Sequence, residues 1–302
     1  MAKLTVLGKV ITVTKHEVQW RDIVAGLLKV TGVTAGVGLM MNSHLRGGLV
    51  RAVNYHATAE ADRESLRSHI RYYQRGFANV GVADLKAFVA GGMSLERPGL
   101  MITFDDGFRS NYTVAAELLD EVGMKGLFFI PSGFIECAGN RAAARKFVDG
   151  QLLEPWRESD FMPMSWDEIR DLVRRGHGIG CHTMTHQVLS RGQRTETLYQ
   201  EIVEAKMAIE HAIGTAIEAF CWPFGSLSSY SKVAFDLVRQ HYEYGFTTFG
   251  APLRVGDSLY AIDRSPVESS AGLSRVRCAV EGITELWLAR RRRRFEALVR
   301  TE

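Results

Sequence analysis

The chain has 302 residues, 46% apolar and 24% charged, a balance that excludes a disordered protein and suits one large domain or two small ones. Its four cysteines lie far apart and form no C-x-x-C pair, which argues against a disulfide scaffold or a cysteine zinc finger. The net charge is +3, but residues 290–302 alone carry +4, so the rest of the chain carries −1. A nearly neutral body argues against a nucleic-acid partner.

Residues 1–48 are predicted to form an amphipathic, helical N-terminal extension. The first fifteen residues lack the charged, apolar and small segments of a secretory signal, so we expect a cytoplasmic protein. The apolar stretch 23–41 is about the minimum length for a membrane span, but Lys29 lies within it. This favours a helix that is partly buried or lies on a membrane, broken at Gly32, and we expect a peripheral contact at the inner membrane face.

From residue 49 onward, short apolar strands alternate with helices. Strands are predicted at 49–54, 99–104, 126–130, 177–181, 217–221, 244–248 and 259–264, and helices at 59–75, 110–121, 165–175, 195–213 and 230–240. Residues 135–163 interrupt this pattern and are predicted to be an inserted loop or a small lid. The alternation predicts a parallel α/β domain over residues 49–285, built as either a (β/α) barrel or a doubly wound sheet.

The Arg-rich C-terminal tail, residues 286–302, has two interpretations. A run of like charges is common in solvated helix ends. The same run would also suit contact with anionic lipid or acidic glycan. The sequence leaves both interpretations open.

Two carboxylates, Asp105 and Asp106, directly follow the strand predicted at 99–104. Ending a buried strand with two acidic residues costs free energy unless a metal, a catalytic role or hydrogen bonds compensate. The step from Asp106 to Gly107 is also common in turns, and Asp106 is placed to cap the next helix. This segment alone leaves a functional site and a plain turn as alternatives.

Two further segments follow predicted strands. His182 and His186 come directly after the strand 177–181; in a helical turn they share one face, as in histidine-pair zinc sites, whereas a lone histidine is usually structural. Residues 221–225 on their own are typical of an aromatic turn. Because the carboxyl ends of barrel strands form active sites, one acid with two histidines predicts a catalytic metal site with open coordination positions.

Together these segments make the chain resemble the polysaccharide deacetylases, or NodB-homology carbohydrate esterases, over residues 51–266. Residues 103–107 match the family's T-F-D-D-G motif, and residues 182–186 match H-[ST]-x-x-H. Residues 221–225 resemble R-x-P-[YF]-G, with Cys221 in the arginine position. Tyr55 and His56 resemble the pair that opens one branch of the family, as do residues 245–248 and 261–264, since the last strand of that branch ends in Leu-Pro-Arg. The resemblance implies a distorted (β/α) barrel of the polysaccharide deacetylase type.

The resemblance also implies a metal-dependent sugar N-deacetylase, a hydrolase of carbon–nitrogen bonds. Asp106, His182 and His186 would bind a divalent metal ion, with zinc as the expected metal. Asp105 would be the general base for the metal-bound water. The backbone N–H of Phe224 would help to hold the oxyanion.

Two positions depart from the family pattern. Cys221 stands where the family has the arginine that orients the base, and Arg264, at the end of the last strand, is expected to supply that charge. The family also uses a late histidine as general acid, but no histidine follows His241 here. His56 is the candidate replacement, or else it only lines the pocket.

The expected substrate follows from the resemblance. It is an N-acetylated sugar, in a polysaccharide or in a lipid- or nucleotide-linked glycan precursor, with Tyr55, Trp222 and Pro223 lining its pocket. The lack of a recognisable signal favours an intracellular precursor reached at a membrane surface. Two alternatives stay open: hydrolysis of a non-sugar C–N bond on the same barrel, and a glycan-binding relative that has lost catalysis. The intact pair of acids and pair of histidines oppose the second.

Overall fold

The computed structural model describes residues 2–6, 9–13, 48–152, 161–225 and 229–282. Ala2–Val6 (β1) and Lys9–Val13 (β2) pair as antiparallel strands. The extension predicted to be helical therefore begins with β-structure, while its apolar stretch 23–41 and the tail 286–302 lie outside the described residues. Within the described residues, no helix is long and apolar enough to cross a membrane.

The body of the protein is a parallel sheet that closes on itself. Its strands are Val50–Tyr55 (β3), Ala78–Asn79 (β4), Gly99–Phe104 (β5), Gly126–Ile130 (β6), Gly178–Cys181 (β7), Ala219–Cys221 (β8), Tyr244–Thr247 (β9), Ile262–Asp263 (β10) and Ser265–Pro266 (β11). The order is β10-β9-β8-β7-β6-β5-β3-β11, and β4 pairs with β5 beside this path. Only Arg264 separates β10 from β11, yet they pair with β9 and β3 at opposite ends of the sheet. The predicted distorted barrel is thereby confirmed over the doubly wound alternative.

Helices cover the outside of the barrel. The α-helices are Arg63–Gly76, Leu85–Val89, Glu117–Asp120, Ser132–Ile135, Arg141–Phe147, Trp166–Arg174, Thr195–Tyr199, Ala205–Ile213, Lys232–His241 and Leu273–Val280. The π-helical turns are Asn111–Ala116, Val148–Leu152 and Gln200–Glu204, and the 3-10 turns are Glu60–Asp62 and Val82–Asp84. Ser165 and Glu168 form the predicted capping box, and Gly214 ends another helix in the left-handed conformation.

Strand alternation decides which side chains face the barrel interior. On β8, Ala219 and Cys221 lie in the apolar cluster that fills the interior, whereas Phe220 and the residue after the strand, Trp222, lie in the cluster between sheet and helices. The same alternation sends Tyr55, the last residue of β3, outward. Because the side-chain period of a strand is two, the inward-facing residues at the strand ends meet above the interior cluster.

The inserted segment 135–163 is largely helical where it is described, not a loop. Phe108, Phe134 and Phe161 join its helices in a third apolar cluster. Two backbone hydrogen bonds, Arg109 N to Met162 O at 2.7 Å and Met164 N to Gly107 O at 3.0 Å, tie its end to the turn after β5. The insertion therefore packs against the mouth of the barrel.

Candidate active site

The site lies where the parallel strands end. Asp105 and Asp106 follow β5 and His182 follows β7. The chain leaves β5 through a sharp turn, since both Asp106 and Gly107 have φ of 69°. A Cβ at Gly107 would lie 2.9 Å from the side chain of Ile135, so both backbone conformation and space favour glycine there. This turn gives the two neighbouring carboxylates different partners.

Asp106, His182 and His186 bring three ligand atoms together. Asp106 Oδ1 lies 3.5 Å from His182 Nε2 and 3.4 Å from His186 Nε2. All three residues are buried, and among the described residues Asp106 Oδ1 has no hydrogen-bond partner. Around a tetrahedral ion with bonds of about 2.0–2.2 Å, ligand atoms lie about 3.3–3.6 Å apart. The separations match that geometry, so these residues fit a divalent metal ion.

The hydrogen bonds of the two histidines leave the correct nitrogens available. His182 Nδ1 lies 2.9 Å from the carbonyl oxygen of Cys221, and His186 Nδ1 lies 3.3 Å from that of Gln151. Because a carbonyl only accepts, each Nδ1 donates, and each Nε2 lone pair faces Asp106. Burial lowers the pKa of His182 to about 4, so its ring is neutral near pH 7. Gln151 belongs to the inserted segment, which thus helps to orient His186.

The two histidines do not lie on a helical turn, contrary to the prediction. Residues 182–187 form no helix, and Thr183 and His186 have φ of 67° and 58°. The backbone N–H of His186 donates to Thr183 Oγ1 at 2.9 Å. These left-handed residues curl the loop, which places the two imidazole rings 4.8 Å apart at a steep angle. The loop, rather than helical periodicity, brings both rings to Asp106.

Asp105 lies in a closed network of donors. Arg264 Nη1 donates to Oδ1 at 2.6 Å and Nη2 donates to Oδ2 at 2.8 Å. Asn54, which the sequence analysis did not assign to the site, donates to Oδ2 at 3.3 Å. Burial has the largest single effect and raises the pKa of Asp105, but the charge and hydrogen bonds of Arg264, together with the charges of His182 and His56, outweigh burial, and the pKa falls to about 2. The carboxylate is therefore ionised near pH 7.

Arg264 is buried and held from several sides. Its Nε donates to the carbonyl of Thr247 at 3.2 Å, and Nη1 donates to Thr103 Oγ1 at 2.9 Å. Its guanidinium carbon lies 5.2 Å from the ring centre of Phe129, and Nη2 lies 2.8 Å from Cys221 Sγ. The positive charge beside Asp105 thus comes from the last strand, with the thiol of Cys221 next to it.

A second set of potential ligand atoms, from Asp105, His182 and Cys221, also lies within 4.8 Å. It is the poorer metal site for two reasons. Arg264 already binds both oxygens of Asp105. Burial raises the pKa of the Cys221 thiol well above its ordinary value, whereas a metal ligand must be a thiolate.

Two residues predicted to take part in catalysis lie exposed at the mouth. His56 directly follows β3. Desolvation has the largest single effect and lowers its pKa, but the carboxylates of Asp106, Asp105 and Glu268 together outweigh desolvation and raise the pKa. Phe224 is 45% exposed, has φ of 60°, and its ring centre lies 4.6 Å from that of His186. The next residue, Gly225, has φ of 58°, and a Cβ there would overlap Thr248 Oγ1, so both backbone conformation and space favour glycine.

The residues predicted to line the substrate pocket are mostly elsewhere. The hydroxyl of Tyr55 lies 2.7 Å from that of Tyr73 and 3.2 Å from His69 Nδ1, in the outer layer. Trp222 is buried among aromatic side chains of the same layer. Both predictions are wrong, because strand alternation turns these two side chains away from the barrel interior. Pro223 is buried in the turn that leads to the site.

A comparison with known protein families identifies the family of this chain. The model of the polysaccharide deacetylase family matches residues 93–243, half of the chain. The chain belongs to the polysaccharide deacetylase family and is a hydrolytic N-deacetylase. A search of curated proteins finds no match.

Solved structures share the fold. IcaB from Ammonifex degensii is 20% identical with a TM-score of 0.61, over 80% of this chain and 98% of its own. PplD, a Streptococcus pyogenes deacetylase solved in complex with acetate, is 14% identical with a TM-score of 0.61, over 76% of this chain and 96% of its own. A de-N-acetylase from Aggregatibacter actinomycetemcomitans is 17% identical with a TM-score of 0.60, over 76% of this chain and 99% of its own. At these identities the similarity establishes the barrel fold.

Proposed function

We propose that the protein removes the N-acetyl group of a sugar in a metal-dependent reaction, with Asp106, His182 and His186 as ligands of the ion. The observation that carries the proposal is the spacing of their three ligand atoms around a carboxylate oxygen that has no protein partner among the described residues. Zinc is the proposed metal, because two imidazoles and one carboxylate leave an open position, as in catalytic zinc sites. When bound, such an ion polarises the acyl oxygen and lowers the pKa of water.

Asp105 is the proposed general base. It is ionised near pH 7, and a carboxylate offers about four lone-pair sites, of which two accept from Arg264 and one from Asn54. Among the described residues, the fourth faces only the thiol of Cys221 at 4.0 Å, a weak donor that the attacking water can replace. Its low pKa makes it a weak base, so its position and orientation matter more than its basicity. Arg264 is a positioning residue that acts through Asp105.

The remaining steps fall to residues at the mouth. The water oxygen bonds to the acyl carbon while Asp105 takes its proton, and the N–H of Phe224 is the proposed donor to the oxyanion. The C–N bond then breaks, and His56 donates a proton to the leaving amine. Burial lowers the pKa of His56 and nearby carboxylates raise it; two of these, Asp105 and Glu268, are not proposed metal ligands and favour its protonated form. The products are acetate and the free amino sugar.

The substrate class is part of the proposal. Family membership supports an N-acetylated glycan, and the relative PplD was solved with acetate, the expected acyl product. We also propose a glycan precursor, lipid- or nucleotide-linked, and a cytoplasmic site of action at a membrane surface. The apolar stretch 23–41 and the arginines of residues 290–302 support this setting. Binding of the full chain to anionic vesicles that high salt reverses would support it, and no binding even at low salt would contradict it.

The experiment that tests the proposed function joins metal content to acetate release. We expect about one zinc ion per chain, and release of acetate from N-acetylhexosamine oligomers that stops on chelation and returns with zinc. Polymeric, lipid-linked and nucleotide-linked acetylated sugars should be compared with a cyclic ureide and an acetylated lysine peptide. Equal hydrolysis of the non-sugar substrates would favour the alternative C–N hydrolase, and absence of bound metal would contradict the proposal.

A further inference from the structure

The loop that carries both histidine ligands is fixed by a buried acid outside it. Glu201 Oε2 accepts hydrogen bonds from the backbone N–H groups of Met184 at 3.1 Å and Thr185 at 2.8 Å. Its other oxygen accepts from Thr185 Oγ1 at 2.5 Å. The carboxylate therefore takes up every donor that the middle of this loop presents on that side.

The opposite side of the loop is fixed by backbone. The N–H of Ser132 donates to the carbonyl of Thr183 at 3.2 Å, and that of Gly133 donates to the carbonyl of Met184 at 2.8 Å. A Cβ at Gly133 would lie 2.9 Å from the Met184 oxygen, so this approach depends on glycine. Since the loop belongs to no helix or strand, its shape depends on these contacts, on Glu201 and on the bond from His186 N–H to Thr183 Oγ1 within the loop.

Glu201 is a buried acid, and burying its charge costs free energy unless hydrogen bonds compensate. It is 3% exposed and lies in the π-helical turn Gln200–Glu204, beside the buried Leu198, Ile202 and Ala205. Among the described residues its polar contacts are all with the loop, and none is with a lysine or arginine. A buried carboxylate without a cation costs several kcal/mol unless hydrogen bonds compensate. π-Helical turns often occur at functional sites.

We propose that Glu201 is a positioning residue for the metal site: it holds the loop so that the Nε2 atoms of His182 and His186 face Asp106 before the ion binds. The proposal rests on the metal site proposed above. Without this carboxylate, two backbone donors lose their acceptor, and the loop must be ordered at the expense of metal binding. Loss of such an outer partner typically weakens metal affinity by about 10–100-fold.

Glu201→Met is the variant that tests this, because it keeps the approximate size of the side chain but removes both oxygens that accept the three hydrogen bonds. Zinc affinity of the metal-free protein is measured by competition with a chromophoric chelator. We expect the dissociation constant for zinc to rise about 10–100-fold, with a much smaller fall in kcat at saturating zinc. Wild-type zinc affinity in this variant would overturn the inference.

Glu210→Met is the matched control. Glu210 lies on the same helical segment, and its Oε1 accepts the backbone N–H of Ile217 at 2.9 Å, away from both histidines. We expect thermal destabilisation in both variants but loss of zinc affinity only at Glu201; equal loss in both would overturn the inference. If Glu201→Met does not fold, Thr185→Val removes one of the three hydrogen bonds, and an unchanged zinc affinity in that variant would also overturn the inference. A wild-type protein that binds no zinc would instead overturn the proposed metal site.

Discussion

Asp105 and Asp106 are adjacent in sequence, but they lie in opposite surroundings. Three donor atoms from Arg264 and Asn54 surround the carboxylate of Asp105. The Oδ1 atom of Asp106 instead faces two imidazole nitrogens that carry no hydrogen. We refer to the proposed metal ligands Asp106, His182 and His186 as the ligand set, and to Asp105 and Arg264 as the ion pair. The comparison teaches that the two aspartates differ in their hydrogen-bond partners and not in residue type. Donors fix the orientation of Asp105, whereas, within the part of the chain that the structure describes, Asp106 Oδ1 has no donor and is available to bind a cation.

The left-handed turn at Asp106 makes this difference possible. A continued strand would send successive side chains to opposite faces of the sheet, one into the barrel and one toward the helices. With φ of 69° at Asp106, both carboxylates stay at the mouth of the barrel. A buried oxygen without a donor costs about 1–3 kcal/mol, a cost that a bound cation would offset.

The largest effect is expected from His182→Ala, which removes one member of the ligand set. With two ligands left, we expect zinc content near zero after desalting and acetate release below detection. Elemental analysis and a deacetylation assay measure the two quantities. Zinc retained at the wild-type level would show that the ion binds elsewhere.

Asp105→Asn is expected to lower the rate without changing the zinc content, which would distinguish the ion pair from the ligand set. Loss of a general base typically lowers the rate by about 10²–10⁴-fold. Zinc content should stay at the wild-type level, because Asp105 lies outside the ligand set. Parallel loss of zinc and activity, as in His182→Ala, would contradict the division between the ligand set and the ion pair.

The strands and the residues that end them were predictable from sequence. The predicted strands 99–104 and 126–130 match β5 and β6 residue for residue, since both are short apolar runs bounded by turn residues. Residues that follow parallel strands meet at the same end of any barrel. The positions of Asp105, Asp106 and the two histidines after predicted strands therefore already indicated that they lie together. Their roles in the reaction remain predictions.

Other features of the site were harder to predict, because they depend on the directions of side chains and on backbone angles. The spacing of residues along the sequence shows these less directly. Tyr55 and Trp222 were misplaced, although the strand period of two turns them outward once Asn54 and Cys221, the residues before them, face the barrel interior. Glu201 went unnoticed, yet an acid within the apolar stripe of the helix 195–213 is a signal for a buried carboxylate. Threonine and histidine do not by themselves indicate the positive φ values found at Thr183 and His186. The sequence analysis therefore expected a helical turn where the structure has a loop.

Arg264→Met tests the ion pair through stability. Removing the cation leaves a buried, unpaired carboxylate, which typically costs about 3–5 kcal/mol at pH 7. In the wild type, the pKa of Asp105 falls from 3.8 to about 2, so its contribution to stability is present above pH 3.8 and is lost as the pH falls toward 2. Without Arg264, burial raises that pKa above its ordinary value, and the sign reverses: the variant loses stability as the pH rises through the new pKa.

Urea unfolding between pH 4 and pH 7 measures this difference. We expect the deficit of Arg264→Met to be largest at pH 7 and to shrink toward pH 4; a deficit independent of pH would show that Arg264 stabilises the barrel by packing alone. The double variant Arg264→Cys with Cys221→Arg returns the charge to the position it has in the family motif. More activity in this variant than in Arg264→Cys alone would show that charge beside Asp105 is what the site needs.

The smallest effect is expected from Cys221→Ala, because Cys221 touches both groups through different atoms. Its carbonyl accepts from His182 Nδ1, and its thiol lies beside Arg264 Nη2. Alanine removes only the thiol, and Arg264 keeps its bonds to Asp105, Thr103 and Thr247. We therefore expect unchanged zinc affinity, a fall in kcat of less than about tenfold, and a loss of about 1 kcal/mol in unfolding free energy. Weaker zinc binding with unchanged kcat would mean that the thiol supports the ligand set instead, and the ion pair and the ligand set would not be separable at this residue.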